Sequence, residues 1–291
     1  MTPDQNPGFT YTRITRGGQV RIYFGKWFRI FLHDKGYLSL LSAGIIAAIV
    51  AWVTNTKAFE EFVYTRSAAF ALVCACIWIG IFNSIQSICK ERGVIKREHR
   101  TGLHISSYVV SHALFDLSIC FLEALVVTII FVSWRGAPTN SLFFDSRPEL
   151  FIVFFLTILC ADMLGMLISA LVRNETQAMT IMPFVLIIQM VMCNILFELK
   201  GFAAKLANLT ISKWAATAIC VISDVRSMPD AQPPQQIPGA PPVSPQLYQE
   251  ARAYSYTKIH LLQCIGILAL FIVAYLALSV VLLEFIDHDA R

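Results

Sequence analysis

Along this chain long apolar runs alternate with short polar ones, and only one polar run is densely charged. Residues 1–18 are polar and contain Pro3, Pro7, Gly17 and Gly18, which predicts a tail over 1–19. From Val20 to Lys35 a helical period appears. Val20, Phe24, Trp27, Phe28 and Phe31 share one face, with Arg21, Lys26, Arg29 and His33 on the other. A basic amphipathic helix with Trp and Phe on its apolar side suits a membrane interface. Six apolar runs follow, at 36–53, 67–89, 108–133, 149–172, 179–198 and 259–284. Each is near the ~20 residues that cross the hydrocarbon core of a bilayer. The pattern predicts an all-α integral membrane bundle of six transmembrane helices within 20–284, followed by a short tail at 285–291.

The segment 199–258 breaks the rhythm. Residues 199–226 are semi-apolar but too interrupted to span, which predicts one or two short helices re-entering the outer leaflet. Residues 229–247 hold seven prolines among Gln, Gly, Ala and Ser, a composition that makes a linker rather than a core.

Composition adds the solvent. Hydrophobic residues make up 56% of the 291 and charged residues 14%, against ~25% charged in an average soluble domain. A soluble core of this size could not hide that much apolar surface, so the solvent is lipid. The first apolar run begins only after some 35 polar and aromatic residues, which is the wrong order for a secretory signal. The net charge of +4 is explained by its placement and calls for no nucleic-acid partner. Arg13, Arg16, Arg21, Lys26, Arg29 and Lys35 precede the first span, and five basic residues lie between the second and third. The short facing loops hold only Lys57, Arg66, Arg135 and Arg147, and the six basic residues of the long 199–258 segment count for little, because long translocated loops contribute little to orientation. By the positive-inside rule both termini and the 90–107 loop are cytoplasmic, in a plasma (inner) membrane.

Candidate chemistry is sparse. The eight cysteines are scattered, nearly all within apolar runs, and none has zinc-ribbon spacing, so neither metal nor disulfide framework is expected. No His-Glu-x-x-His, Gly-x-Ser-x-Gly or Gly-x-x-x-x-Gly-Lys-Ser/Thr occurs, so no catalytic residues are assigned and the chain does not itself cradle ATP. Three acids fall within spans: Asp116, four residues after His112 and able to pair with it, then Glu123 and Asp162. Intramembrane carboxylates are functional candidates by default, and here they support an alternative reading as a proton-coupled secondary transporter or channel. In the second span Cys76, Gly80, Asn83 and Ser87 recur at helical spacing with Gln86 beside them, and the fifth supplies Met182, Gln189, Cys193 and Asn194. These are substrate-path or helix-packing candidates.

The charged run Cys89–Tyr108 carries the strongest signal. Glu91-Arg92, Arg97-Glu98, Gly102 and Ser106-Ser107-Tyr108 resemble the first cytoplasmic loop of type-2 ABC exporter permeases, in particular the G-subfamily. Ser169 to Ala178, continuing through Pro183 and Gln189 to Leu196-Phe197, is similar to that family's short loop and fifth helix. Ile211-Ser212-Lys213-Trp214-Ala215-Ala216-Thr217-Ala218 is similar to its re-entrant outer segment. The resemblance implies a connecting helix at 20–35 and a coupling helix at 91–103, with Glu91, Arg92, Arg97, Glu98 and Arg100 as ATPase-coupling residues. It also implies a second permease copy, homo- or heterodimeric, meeting this one through the second and fifth spans. An ABC ATPase, as a separate chain or a fused domain, would hold ATP and Mg. Asn194 stands where many relatives have Gly. On this reading Val94, Ile95 and Leu103 are expected to fill a groove on the ATPase, and the cargo to be hydrophobic or amphipathic.

Overall fold

The computed structural model describes residues 15–33, 36–143, 145–195, 197, 199–228 and 254–284. Of the expected tail at 1–19, residues 1–14 lie outside them and Arg16 onward already belongs to a helix; the tail at 285–291 and the proline-rich linker at 229–247 also lie outside. Every described regular element is helical: α1 (Arg16–His33), α2 (Tyr37–Val53), α3 (Phe62–Ser84), α4 (Ser87–Arg100), α5 (Ile105–Arg135), α6 (Ser146–Leu171), α7 (Glu175–Val191), α8 (Phe202–Ala207), α9 (Ile211–Ile222) and α10 (Lys258–Glu284), with a single 3₁₀ turn at Val225–Ser227.

Four stretches are long and apolar enough to cross a membrane unaided: Phe62–Arg100, Ile105–Arg135, Ser146–Leu171 and Lys258–Glu284. A fifth, α2, qualifies only together with α1. The expected count of six is therefore not established by length. Both α2 and α7 have 17 residues, roughly 25 Å of helix against a core of ~30 Å. The second expected span, 67–89, is shifted. It begins at Phe62, breaks at Ile85–Gln86 and resumes as the charged helix α4.

The centre of the bundle is the pair α3 and α6, with α9 and α10 against its outer flank and α2 and α1 against α5. Close approach of α3 and α6 depends on two glycines. A Cβ at Gly80 would lie 2.2 Å from the Ile158 carbonyl oxygen, and one at Gly165 would lie 2.4 Å from Ser84 Oγ. Across the same seam Ser84 Oγ donates to the Asp162 carbonyl at 2.5 Å. Small residues that let backbones meet, tied by hydroxyl hydrogen bonds, are the usual glue where lipid removes the hydrophobic drive between helices.

Of the expected outer segment, α9 is buried among α3, α6 and α10, and Ala215, Ala216 and Ala218 let it wedge between larger helices. One expectation is corrected. On α1 the inward residues are Tyr23, Lys26, Trp27 and Ile30, while Phe24 and Phe28 face outward. Lys26 turns inward, against the amphipathic pattern, because a carboxylate waits for it on α4. At the end of α7, Asn194 has φ 61°. That left-handed conformation favours glycine, and Asn tolerates it better than most residues.

Gly80→Ala should lower the thermal unfolding midpoint of the purified protein, with overpacking costing about 1–3 kcal/mol. Gly266→Ala on α10, where a Cβ meets nothing within 4 Å, should leave the midpoint unchanged or raise it. Equal effects would remove the packing argument.

Candidate functional site

The charged helix α4 is fixed at both ends by side chains from three other helices. The break at Ile85–Gln86 frees backbone N–H groups in the first turn of α4, and Ser169 Oγ accepts from two of them, Ile88 N at 3.1 Å and Cys89 N at 3.0 Å. In return Arg92 Nη1 donates to the Ala170 and Val172 carbonyls at 2.8 and 2.9 Å. A cation on the last carbonyls of α6 also complements that helix's dipole. Each helix thus caps the other.

Toward its other end α4 leans on α1 and α5. Glu91 and Glu98, two turns apart, present one face. Lys26 Nζ lies 3.1 Å from Glu91, and Tyr108 O–H donates to the same carboxylate at 3.2 Å. Tyr23 O–H donates to Glu98 at 2.6 Å. Burial first, then the Glu98 carboxylate, push the Tyr23 phenol above its ordinary value, so it remains a donor throughout the neutral range. Gln19 closes the turn after α4, donating to the Gly102 carbonyl and accepting from His104 N. Gly102 has φ 109°, a conformation in which a side chain would be strained. Around these polar contacts Trp27 packs edge-on against Tyr108 and His112.

The opposite face of α4 is exposed and basic, with Lys90, Gly93, Arg97 and Arg100 at i, i+3, i+7 and i+10. Ile95 is fully buried and Leu103 nearly so. The expected insertion of those two side chains into a partner's groove is therefore overturned: they fill this chain's own core, and Val94 is half-buried.

Behind α4 the span residues form a polar pocket. His112 Nδ1 lies 2.5 Å from Asp116 Oδ2, the pairing anticipated from their spacing. Asn83 Nδ2 donates to Glu123 Oε2 at 2.7 Å. Asp162 is fully buried, and neither of its carboxyl oxygens has a hydrogen-bond partner among the described residues. A cavity of about 260 Å³ brings Asn83, Asp116 and Asp162 together with Ser39, Phe31, Phe82, Phe115, Ile119 and Gly36.

The remaining candidates lie elsewhere. Cys76 is buried in the core, and Gln86 is half-buried at the α3–α4 break. Gln189 accepts from Ser212 N and its carbonyl accepts from Ser212 Oγ, while Cys193 Sγ bonds the Ser212 carbonyl. Their polar atoms join α7 to α9. Asn194 Oδ1 accepts from Leu199 N. Sequence reasoning did not single out Tyr23, Gln19 or Ser169 as functional. The available signal for Tyr23 and Lys26 was their i, i+3 spacing on α1; Ser169 opened the stretch similar to the family's short loop, with nothing in it to mark a cap on α4.

Two family models match the chain in tandem: ABC-2 type transporter over residues 19–222 and CDR ABC transporter over 234–291. Over 153 residues the chain is 23% identical to the ABC transporter ATP-binding/permease protein Rv1747 of Mycobacterium tuberculosis, a match covering 51% of this chain and 18% of that protein. The chain thus spans less than a fifth of that relative's length. The first family match runs from the start of the bracing helix α1 to the last residue of α9, through every contact that holds α4 and the whole of the α3–α6 seam. The chain belongs to the ABC-2 type transporter family, as its membrane-embedded permease domain.

Proposed function

We propose that this membrane subunit exports a hydrophobic or amphipathic molecule by alternating access, driven by an ATPase that docks on α4. The family implies an ABC ATPase partner, and that partner would hold ATP and Mg. The observation that carries the reading is the division of labour on α4. Its carboxylates are turned inward into braces, and Lys90 and Arg97 are turned outward, available to a partner.

This arrangement makes α4 a lever rather than a loop. A force on the basic stripe passes through Ser169 and Arg92 to α6, through Glu91 and Glu98 to α1 and α5, and directly to α3. Nucleotide can move the bundle only if the docked ATPase holds α4 more favourably in one state than in the other. The α4 end is cytoplasmic on the positive-inside argument. A second copy would pack on the exposed side of α3 and α7, where Trp78, Phe82, Phe184 and Ile187 are open. Lipid would cover the remaining outward apolar surface.

Two outcomes follow for the full transporter in proteoliposomes. Lys90→Glu combined with Arg97→Glu should weaken ATPase association about tenfold and reduce transport in proportion, since opposed interface charges govern such docking. Tyr23→Phe and Glu98→Gln should leave the ATPase bound and hydrolysing while transport falls severalfold, because each removes a charge-assisted hydrogen bond of about 1.5–3 kcal/mol. Transport that persists on a proton gradient with no ATPase bound would overturn the reading.

A further inference from the structure

The polar pocket behind α4 plays no part in the lever, yet it has the chemistry of a binding site. Of its two carboxyl groups Asp116 is answered by His112, whereas Asp162 is fully buried and neither of its oxygens has a hydrogen-bond partner among the described residues. A buried carboxyl group without a partner is costly. Nearby, Asn83 donates to Glu123 and Ser84 to the Asp162 backbone carbonyl, while the Ser39 hydroxyl that borders the same cavity also has no partner among the described residues. Among the described residues no Lys or Arg borders the cavity. The site therefore offers spare acceptors.

The other walls are aromatic. Phe31, Phe82 and Phe115 border the same space, with the Phe31 and Phe115 rings edge-to-face at 5.7 Å. Ring faces attract a cation within about 6 Å, and carboxylates beside aromatic rings are how proteins hold quaternary ammonium groups. A bare divalent ion would instead want six or more oxygens close around it, and this wall is largely carbon. At about 260 Å³ the cavity lies just below the ~300 Å³ at which pockets for drug-sized ligands begin. It suits a headgroup with its first substituent.

We propose that the cavity between α1, α2, α3, α5 and α6 binds an organic ammonium group, with Asp162 as counter-ion and Phe31, Phe82 and Phe115 as its walls. Such a group belongs either to a soluble cationic amphipath or to a choline-headgroup lipid. The site stands on the geometry of the pocket alone and does not depend on the transport reading.

The test is equilibrium dialysis of the whole chain in phosphatidylglycerol nanodiscs, with radiolabelled benzyltrimethylammonium as probe and its neutral carbon isostere as competitor. The cation should bind at least about tenfold tighter than the isostere, as expected for a desolvated cation–π and charge contact. Asp162→Asn should remove most of that preference. Phe82→Ala, at the half-open edge of the cavity, should weaken cation binding severalfold without lowering the unfolding midpoint. Loss of probe binding in phosphatidylcholine nanodiscs would identify lipid headgroup as the occupant, and retention would identify a soluble cation. Equal affinity for cation and isostere in the wild-type protein, or binding indifferent to Asp162→Asn, would overturn the proposal.

Discussion

The requirement that every backbone polar group find a partner without water governs this bundle. It is most acute at Ile85–Gln86, where α3 stops and α4 starts. A helix break there leaves donors that lipid cannot satisfy, and Ser169 on α6 accepts two of them. The free carbonyls at the end of α6 meet the same demand through Arg92. Because the solution is reciprocal, the charged helix cannot shift without breaking bonds on the central helix. A local problem of hydrogen bonding thereby becomes a mechanical coupling.

The same economy explains where the glycines stand. Gly80 and Gly165 bring α3 and α6 close enough for Ser84 to reach the Asp162 backbone. That contact fixes the position of the Asp162 carboxyl group at the pocket. The lever and the pocket are consequently built on one seam, the first at its charged end and the second a few turns deeper. Movement of α4 relative to α6 would change the walls of the pocket, a link that arises from shared backbone rather than from any relay of charges.

The braces on α4 illustrate how a half-buried ion pair serves orientation more than stability. Lys26 and Glu91 retain 32% and 21% of their side-chain exposure, and partly solvated pairs of this kind contribute on the order of 1 kcal/mol or less. Tyr23 and Tyr108 make up the difference by adding directional hydrogen bonds to the same two carboxylates. With both acids held inward, the outward face of α4 keeps only its basic residues. The polarity of that exposed face is set by contacts on its far side.

Much of this was written in the linear pattern. Hydropathy located α2, α5, α6 and α10 closely and found α3 and α7 with their ends displaced, since apolar length is dictated by the bilayer and needs no tertiary context. The i, i+4 spacing of His112 and Asp116 announced their contact, and the density of charge at 90–100 marked α4. Tertiary structure alone decided which way those charges point. Periodicity groups residues by face but does not say which face meets a neighbour, so Lys26 turned inward and Ile95 and Leu103 vanished into the core. Nor could sequence show that the Asp162 carboxyl group lacks a partner among the described residues, or that Phe31, Asn83, Phe115 and Asp116 border its cavity. Those residues come from four helices, and only the packing of α3 on α6, permitted by two glycines, brings them to one place.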